Sequence, residues 1–307
     1  MKKFIIKVGI FFIIAILIDF LFGKLFEMLI DKAKGGDTYR NNYICNKVEE
    51  HILVFGSSRA IHHYNPVIIK DSLNMTCYNC GQEGNGIILN YGRFLLINQR
   101  YHPNYIIYDI TPVFDLLQGK DNQKYLGWLR AYYNRNGIPD IFNSVDPSET
   151  WKMHSQLYRF NSKFIQIVSD AIHPIQDSGI LGFRPLKGEM DTMKISKQSV
   201  EKQIYEYDTL KIQYFEKMIN TSQKTKFIFT LSPNYNEIDT TVLYPIKTLC
   251  SKYNIPMIDL SNDPKYLHNS IYFKDGSHLN SRGADEFTKD IVKKIKETII
   301  TSSKNHP

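Results

Sequence analysis

Short apolar runs alternate along much of the chain with segments whose apolar residues recur at helical spacing. The short runs predict strands buried on both faces, and the helical spacing predicts amphipathic helices. The predicted strands are HILVFG, MTCYN, NYIIYDI, KFIFTLSP and IPMIDL. The predicted helices are NPVIIKDSL (with Pro66 at a first helical position), GIILNYGRFLLINQ, a helix through Tyr253 and a helix from Arg282 to Ile300. This alternation predicts an α/β domain with a flavodoxin-like, three-layer parallel sheet.

Residues 116 to about 200 interrupt the alternation. The stretch is rich in Tyr, Asn and Trp, and it has only weak helical periods. It is too long for a bare loop in a compact domain, so we predict a partly helical insertion over the strand ends, as a lid or substrate wall. Within LYRFNSKF, Arg159 and Asn161 are candidates for a sugar-binding wall, on composition alone.

The N-terminal segment does not have the pattern of a globular core. Lys2 and Lys3 precede an apolar stretch from Phe4 to Phe22, which no small-x-small cleavage site follows. The stretch is long enough to span a bilayer if Lys7 and Asp19 lie toward its ends. We interpret residues 1–34 as an uncleaved signal anchor with a juxtamembrane helix; the alternative is a buried N-terminal helix. A polar linker opening at Gly35 and Gly36 would lead into an α/β domain at 35–307.

Charge adds little to this picture. The chain has 307 residues, 43% of them hydrophobic, and a net charge of +7. Its basic clusters do not interleave with aromatic residues, so we predict no nucleic-acid partner. The numbers of lysines on the two sides of the apolar stretch nearly balance, so charge gives the anchor only a weak preference of orientation. That preference places the bulk of the chain outside the cytoplasm, in the periplasm or at the cell surface.

Four cysteines include the pair Cys77 and Cys80 at the end of a predicted strand. A redox pair would open a helix, and a zinc site would need a second ligand pair, which the sequence lacks. We interpret the pair as structural, with a disulfide in an oxidising compartment left open. We predict no metal and no cofactor.

Three polar stretches follow predicted strands, and each has a purely structural alternative. In VFGSSRAIHH, Ser58 would lie at the carboxyl edge of the sheet, although the motif taken alone is more typical of a turn. In FKDGSHLNS, Asp275 and His278 are close enough for the carboxylate to orient the imidazole, which would activate a serine; the alternative is a helix cap. In YNCGQEGNGI, Asn79 and Gly84 could belong to a turn that exposes N–H groups to an oxyanion or to an ordinary turn.

Together these stretches resemble the SGNH (GDSL-type) hydrolase superfamily over residues 50–110 and 225–300. The resemblance implies Ser58 as the nucleophile, with Ser57 replacing the usual Asp of the motif, and Asp275 and His278 as its partners. It also implies the N–H groups of Ser58 and Gly84 as oxyanion donors, with Asn79 in the same motif. A third donor is missing, because Val113 falls where the family has an Asn. The chain is most similar to the membrane-anchored, cell-envelope branch, which includes acyltransferases.

The resemblance implies a serine esterase or O-acyltransferase that acts on an ester, acetyl above all, of a cell-envelope glycan. A partner protein of envelope biosynthesis is a further expectation. The alternative is a non-catalytic polysaccharide-binding or assembly protein that retains the fold.

Two other groups of residues are weaker candidates for chemistry. Arg59, His62 and His63 are consistent with a metal or phosphate site but are more typical of packing and surface. Asp109 and Asp115 form a carboxylate pair in sequence, but no second feature supports a glycosidase.

Overall fold

A computed structural model describes residues 1–173, 179–191, 204–222 and 224–304. Its strands are β1 Ile52–Gly56, β2 Cys77–Asn79, β3 Tyr105–Asp109, β4 Lys226–Leu231 and β5 Met257–Asp259. Its α-helices are α1 Lys2–Lys32, α2 Gly36–Asn46, α3 Ser58–His63, α4 Pro66–Leu73, α5 Ile87–Asn98, α6 Pro112–Asp115, α7 Ile138–Val145, α8 Pro147–Lys152, α9 Gln156–Asn161, α10 Phe164–Ile172, α11 Thr209–Thr221, α12 Tyr244–Tyr253 and α13 Ser281–Lys304. Short 3-10 helices lie at Gln123–Leu126, Arg130–Tyr132, Thr240–Leu243 and Ser270–Tyr272.

Contacts divide the chain into two compact units, one helical (Met1–Lys47 and Asn122–Asp177) and one α/β (Val48–Asp121 and Ser178–Pro307). This division differs from the predicted boundary at residue 34 and from the predicted assignment of the whole insertion to the α/β domain. The insertion is helical in α7–α10, whereas its segments 174–178 and 192–200 lie outside the described residues.

The α/β unit is built on a parallel sheet with the order β2-β1-β3-β4-β5. The chain leaves β1 toward β2 on one side and returns to β3 on the other, so the carboxyl ends of β1 and β3 form the switch point where ligands bind in open α/β sheets. Gly56 at the end of β1 pairs in register with Asp109 at the end of β3.

Helices cover both faces of this sheet, which confirms the predicted three-layer fold. On one face, α13 packs Phe287, Ile291 and Ile295 into the cluster that contains Val54 and Ile107 of the sheet. On the other face, Tyr108 of β3 lies 5.0 Å from Phe215 of α11. Phe94 of α5 lies 5.9 Å from Phe227 of β4, measured between ring centroids in both pairs. The regular apolar pattern of strands and helices therefore produces one continuous sandwich around the sheet.

The N-terminal helix α1 is long and apolar enough to cross a membrane by length and composition, with a mean hydropathy of 2.7 in its most apolar window. None of that window is buried, which rules out the alternative of a buried core helix within this chain. Its length, composition and place near the N-terminus fit a membrane anchor or a signal sequence.

The predicted polar linker after residue 35 is wrong, because residues 36–46 form α2. Its polar side chains find partners inside the helical unit: Asn41 donates to the carbonyl of Trp128 at 3.1 Å, and Asn42 donates to that of Ile30 at 3.4 Å. Asp170 of α10 accepts from the backbone N–H of Thr38 at 3.0 Å. Helix α2 has no apolar stripe, but these buried hydrogen bonds hold it in a fixed position within the helical unit.

Cys77 and Cys80 are both buried, and neither is in a disulfide. Burial raises the pKa of Cys77 well above its ordinary value, with the neighbouring Cys80 adding to the shift. The structural interpretation of the pair therefore fits unreactive, packed thiols rather than a disulfide.

Candidate active site

The turn after β1 explains the Gly-Ser-Ser sequence. Gly56 has φ +143°, and a Cβ there would lie 2.7 Å from the carbonyl oxygen of Asp109, so glycine is required where β1 and β3 meet. Ser57 caps helix α3, with its Oγ accepting from the N–H of Arg59 at 3.4 Å. The Ser57 hydroxyl also lies 2.7 Å from the Thr111 hydroxyl. Ser57 is therefore used by the turn, and Ser58 is left as the first residue of α3.

Ser58, His278 and Asp275 converge although 220 positions separate the first two. The Nε2 of His278 lies 2.8 Å from the Ser58 hydroxyl. The Nδ1 of His278 lies 2.9 and 3.0 Å from the two carboxylate oxygens of Asp275. Because a carboxylate only accepts, Nδ1 carries the proton, and Nε2 is free to accept the proton of Ser58. The arrangement is that of a serine hydroxyl, a base and a carboxylate that orients the base.

Asp275 stays ionised in this arrangement. Partial burial opposes ionisation, but the hydrogen bond from His278 and the backbone N–H of Ser277 more than offset it, and the pKa of Asp275 is held well below its ordinary value. The Asp275 side chain remains 53% exposed, whereas that of His278 is 24% exposed. The pair is open to solvent on the Asp275 side, which screens the attraction.

The turn after β2 lies beside the nucleophile and keeps two backbone donors open. As the first residue of α3, Ser58 has no intrahelical acceptor for its N–H. Gly84 has φ +62°, which suits glycine. Within the described ranges, no hydrogen bond occupies the N–H of Ser58 or of Gly84. Asn79 has a structural role, because its Nδ2 donates to the carbonyls of Ala60 and Tyr64 and its Oδ1 accepts from Gly81.

His62 and Glu83 form a contact that the sequence did not predict. His62 Nδ1 lies 2.6 Å from the carbonyl oxygen of Arg184, and its Nε2 lies 2.5 Å from Glu83 Oε1. Burial opposes ionisation of Glu83, but the hydrogen bond from His62 outweighs it and lowers the pKa of Glu83. The contact between His62 and Glu83 fixes the residue before Gly84, and the His62 ring lies 5.6 Å from that of His278.

His63 holds the chain next to His278 through a buried network. Its Nε2 accepts from the N–H of Leu279 at 2.9 Å, so Nδ1 carries the proton and donates to Ser232 Oγ at 2.8 Å. Complete burial, with Arg59 nearby, lowers the pKa of His63 well below its ordinary value, which keeps the ring neutral. Ser232 in turn donates to Asp109 at 3.1 Å. The predicted packing role of the His62–His63 pair is confirmed for His63, whereas a surface position is wrong for both histidines, since both are buried.

Asp109 is the centre of this network. It accepts from the Tyr64 hydroxyl at 2.7 Å and from the N–H of Ser232 at 2.8 Å, and it lies 4.0 Å from Arg59 Nε. Burial raises the pKa of Asp109, whereas Arg59 and these hydrogen bonds oppose the rise. A carboxylate placed here connects the end of β3 to α3 and to the turn after β4.

Replacing Asp109 with alanine is expected to lower the free energy of unfolding by about 3–5 kcal/mol, because Arg59 would remain buried without its carboxylate. Chemical unfolding of the full-length protein in detergent measures the change. The exposed Asp71 on α4 is the matched control, and Asp71→Ala should stay within about 0.5 kcal/mol of the wild type. Equal losses for the two variants would contradict a structural role for the Asp109 network.

Asp115 also has a structural place rather than a catalytic one. It accepts from the N–H of Thr111 and from the Tyr108 hydroxyl, each at 2.7 Å, and it is fully buried. Burial raises the pKa of Asp115 to about 7. With Asp109 and Asp115 each enclosed by its own donors, the two carboxylates have no face open to a sugar. Val113, between Thr111 and Asp115 on α6, is 56% exposed and offers no side-chain donor.

The two candidates for a sugar-binding wall lie in the helical unit. Arg159 is buried, with its Nε donating to the carbonyl of Met153 at 2.5 Å and its guanidinium donating to Asn134 at 2.9 Å. Asn161 is exposed and accepts from Arg130 at 3.3 Å. The donors of Arg159 are thus used within its own unit, and the role of both residues as a wall stays a prediction.

Comparisons with known proteins find no matching family model and no matching curated protein. Among solved structures, the chain is similar to a "putative lipolytic protein of G-D-S-L family" from Desulfitobacterium hafniense DCB-2, at 10% identity and a TM-score of 0.38, over 79% of this chain and 98% of that one. It is also similar to an acetyl xylan esterase from the rumen bacterium Butyrivibrio proteoclasticus, at 8% identity and a TM-score of 0.36, over 81% of this chain and 64% of that one. A third similar structure is a gut microbial diltiazem-metabolizing enzyme, at 11% identity and a TM-score of 0.40, over 80% of this chain and 46% of that one.

Similarity at this level carries no argument about chemistry, which rests on the geometry of the site itself. The order of the parallel sheet agrees with the fold that the SGNH resemblance implies, and Ser58, His278 and Asp275 lie in contact with one another.

Proposed function

We propose that this protein is an SGNH-type serine esterase or O-acyltransferase. One observation carries the proposal: the Ser58 hydroxyl lies 2.8 Å from His278 Nε2, while the opposite ring nitrogen is held by Asp275. A serine hydroxyl is a weak nucleophile until a base within hydrogen-bond reach removes its proton. With Nδ1 of His278 bonded to Asp275, Nε2 is the ring nitrogen that faces the serine hydroxyl, as removal of its proton requires.

The reaction has two halves. Ser58 Oγ attacks the carbonyl carbon of an ester while His278 Nε2 takes the serine proton, and the N–H groups of Ser58 and Gly84 stabilise the oxyanion that forms. Collapse of this intermediate breaks the bond to the leaving alcohol, which receives the proton from His278, and leaves an acyl group on Ser58. Water or a second hydroxyl then attacks the carbonyl carbon of the acyl-serine and gives its proton to His278. The bond between this carbon and Ser58 Oγ breaks, and His278 returns the proton to the serine oxygen. The product is a free acid in the first case and a new ester in the second.

The proposed setting is a membrane. Helix α1 would act as an uncleaved, single-pass anchor, with the bulk of the chain outside the cytoplasm. Its unburied apolar window and the missing cleavage site after it support retention in the membrane. An enzyme held at this surface meets envelope glycans, so an acetyl ester of such a glycan is the substrate class that we propose.

A long-lived acyl-serine would suit transfer to a sugar hydroxyl. Val113 removes the third donor that the SGNH resemblance implies, and one such donor is worth roughly 2.7–4 kcal/mol of transition-state stabilisation. An acyl-serine that water attacks slowly has time to meet an acceptor. Turnover of small aryl esters by this protein should therefore be slow but measurable.

The test is competition between water and an acceptor glycan for the acyl-serine. We expect full-length protein to hydrolyse p-nitrophenyl acetate slowly and to release p-nitrophenol faster when envelope polysaccharide is added, with acetyl appearing on the glycan. A Ser58-dependent rate that no glycan alters would leave a plain esterase and would contradict acyl transfer.

The alternative function is a non-catalytic protein that binds or hands over polysaccharide. The apolar side chain of Val113 at the position of the missing donor favours it. It requires that the contacts among Ser58, His278 and Asp275 serve no reaction, so loss of Ser58 would leave ester turnover unchanged.

A further inference from the structure

Several large apolar side chains of the helical unit are exposed to solvent: Trp151, Leu157, Phe164, Ile165 and Ile172. Trp151 and Ile165 are the most exposed of the five, at 80% and 81%. Exposed apolar side chains are informative where they form a contiguous patch. The five lie on α8, α9 and α10, three consecutive short helices of the insertion. We call Leu157, Phe164 and Ile165, which line one cavity, the apolar face of the insertion. Trp151 and Ile172 are exposed apolar side chains on the same three helices.

The same helices are joined to α1 by the one acidic side chain within its apolar stretch. Asp19 accepts hydrogen bonds from the Ser155 hydroxyl at 2.9 Å and from the N–H groups of Gln156 and Leu157 at 2.8 and 2.9 Å. These N–H groups open helix α9, so Asp19 acts as an N-terminal cap supplied by another helix. The contact explains why a carboxylate is present in a segment that would otherwise exclude it.

The position of Asp19 along α1 determines the depth of this contact relative to a bilayer that α1 would span. The apolar stretch from Phe4 to Phe22 is about 28 Å long at about 1.5 Å per residue, close to the ~30 Å of a bilayer's hydrocarbon layer. Asp19 therefore lies within about one turn of the end of the stretch that faces the rest of the chain. The start of α9, which Asp19 caps, lies at that same level, where hydrocarbon gives way to headgroups.

The apolar face continues the surface of α1. The ring of Phe22 stacks on that of Phe164 with centroids 6.1 Å apart, and Phe26 lies 5.2 Å from the same ring. A shallow cavity of about 580 Å³ beside α1 is lined by Phe22, Leu157, Tyr158, Asn161, Phe164 and Ile165. Lipid that surrounds the exposed apolar stretch of α1 would also contact Leu157 and Ile165 beside it.

We propose that α8, α9 and α10 lie on the membrane as an interfacial collar, with the apolar face in the headgroup and upper acyl region of the bilayer. The partner is lipid, since this face adjoins the exposed apolar surface of α1. Trp151 has the amphipathic ring that favours this zone, and short apolar helices bind there by burying one face. The proposal rests on the membrane anchor proposed above, and it adds that the insertion itself contacts lipid.

Tryptophan quenching tests the collar directly, because the chain has two tryptophans, Trp128 and Trp151, and only Trp151 is exposed. Full-length protein is reconstituted into phosphatidylethanolamine–phosphatidylglycerol vesicles, with or without bromine on the upper acyl carbons, and floated on a density gradient. We expect bromolipid to quench the wild type and the Trp151→Phe variant to lose most of that quenching. Phenylalanine at this exposed position keeps the side chain apolar, so the variant should fold.

Three outcomes would overturn the proposal. Quenching of Trp151 by aqueous iodide but not by bromolipid, in protein that floats with the vesicles, would remove the collar and leave the anchor. Protection of Trp151 from both quenchers would place a protein, such as a second copy of the chain, over Trp151 in place of lipid. Protein that does not float would overturn the anchor together with the collar, whatever the result for ester turnover.

Discussion

Replacing Ser58 with alanine is expected to abolish the hydrolysis of p-nitrophenyl acetate, with a loss of at least about 10³-fold. The acyl group has no other acceptor in this arrangement, because Ser57 uses its hydroxyl in the contact with Thr111 and in capping α3. Removal of the nucleophile in a serine–histidine–aspartate site removes nearly all covalent catalysis and leaves only what oxyanion donors and binding supply. Initial rates of p-nitrophenol release from matched preparations measure the effect.

Ser57→Ala is the control for this result. It removes a neighbouring hydroxyl of the same turn at a cost of about 1 kcal/mol in helix capping, but leaves the contact between Ser58 and His278 in place. We expect Ser57→Ala to keep most of the activity. Equal rates in wild type and Ser58→Ala would show that Ser58 is no nucleophile and would move the account to the binding-protein alternative.

Replacing His278 with alanine is expected to reduce turnover to the level of Ser58→Ala, because the serine proton would have no base within reach. Groups that act as one unit are not additive, so the double variant should be no slower than either single variant. His102→Ala is the matched control, since His102 is an exposed histidine of the same unit whose ring contacts only Asn98 among the side chains of the described chain. Additive losses in the double variant would contradict a shared mechanism.

The pH dependence follows from the lowered pKa of Asp275. A carboxyl whose folded-state pKa lies below the unfolded one stabilises the fold above the unfolded pKa, and that stability is lost as the pH falls through the folded pKa. Asp275 therefore remains charged at neutral pH and down through the ordinary pKa range of an aspartate. A fall in activity on mild acidification, which a pH–activity profile measures, should not report protonation of this carboxylate.

The sequence predicted the sheet well because its strands are buried on both faces. Runs such as HILVFG and NYIIYDI are apolar on both faces and too short for a helix, and glycine or proline lies near their ends. Helix α2 was missed because its polar residues satisfy each other and its neighbours inside the helical unit, which leaves no apolar period to detect. Its place depends on partners more than eighty residues away along the chain.

The triad could be predicted because parallel topology alone brings strand ends together. Ser58 follows β1 and His278 lies between β5 and α13, so both belong to the carboxyl edge of one sheet. The supporting contacts could not be predicted in the same way. The pairing of Glu83 with His62, and the chain from Asp109 through Ser232 to His63, depend on strand register and side-chain direction, which no spacing along the sequence reveals.

The central claim is that Ser58 is a nucleophile, and covalent labelling tests it most directly. Full-length protein is treated with a fluorophosphonate, and the modified residue is located by peptide mass mapping. We expect one label per chain, on Ser58, with none on the Ser58→Ala variant and an unchanged label on Ser57→Ala. An unlabelled wild-type protein, or a label on Ser57 or any other residue, would contradict the account.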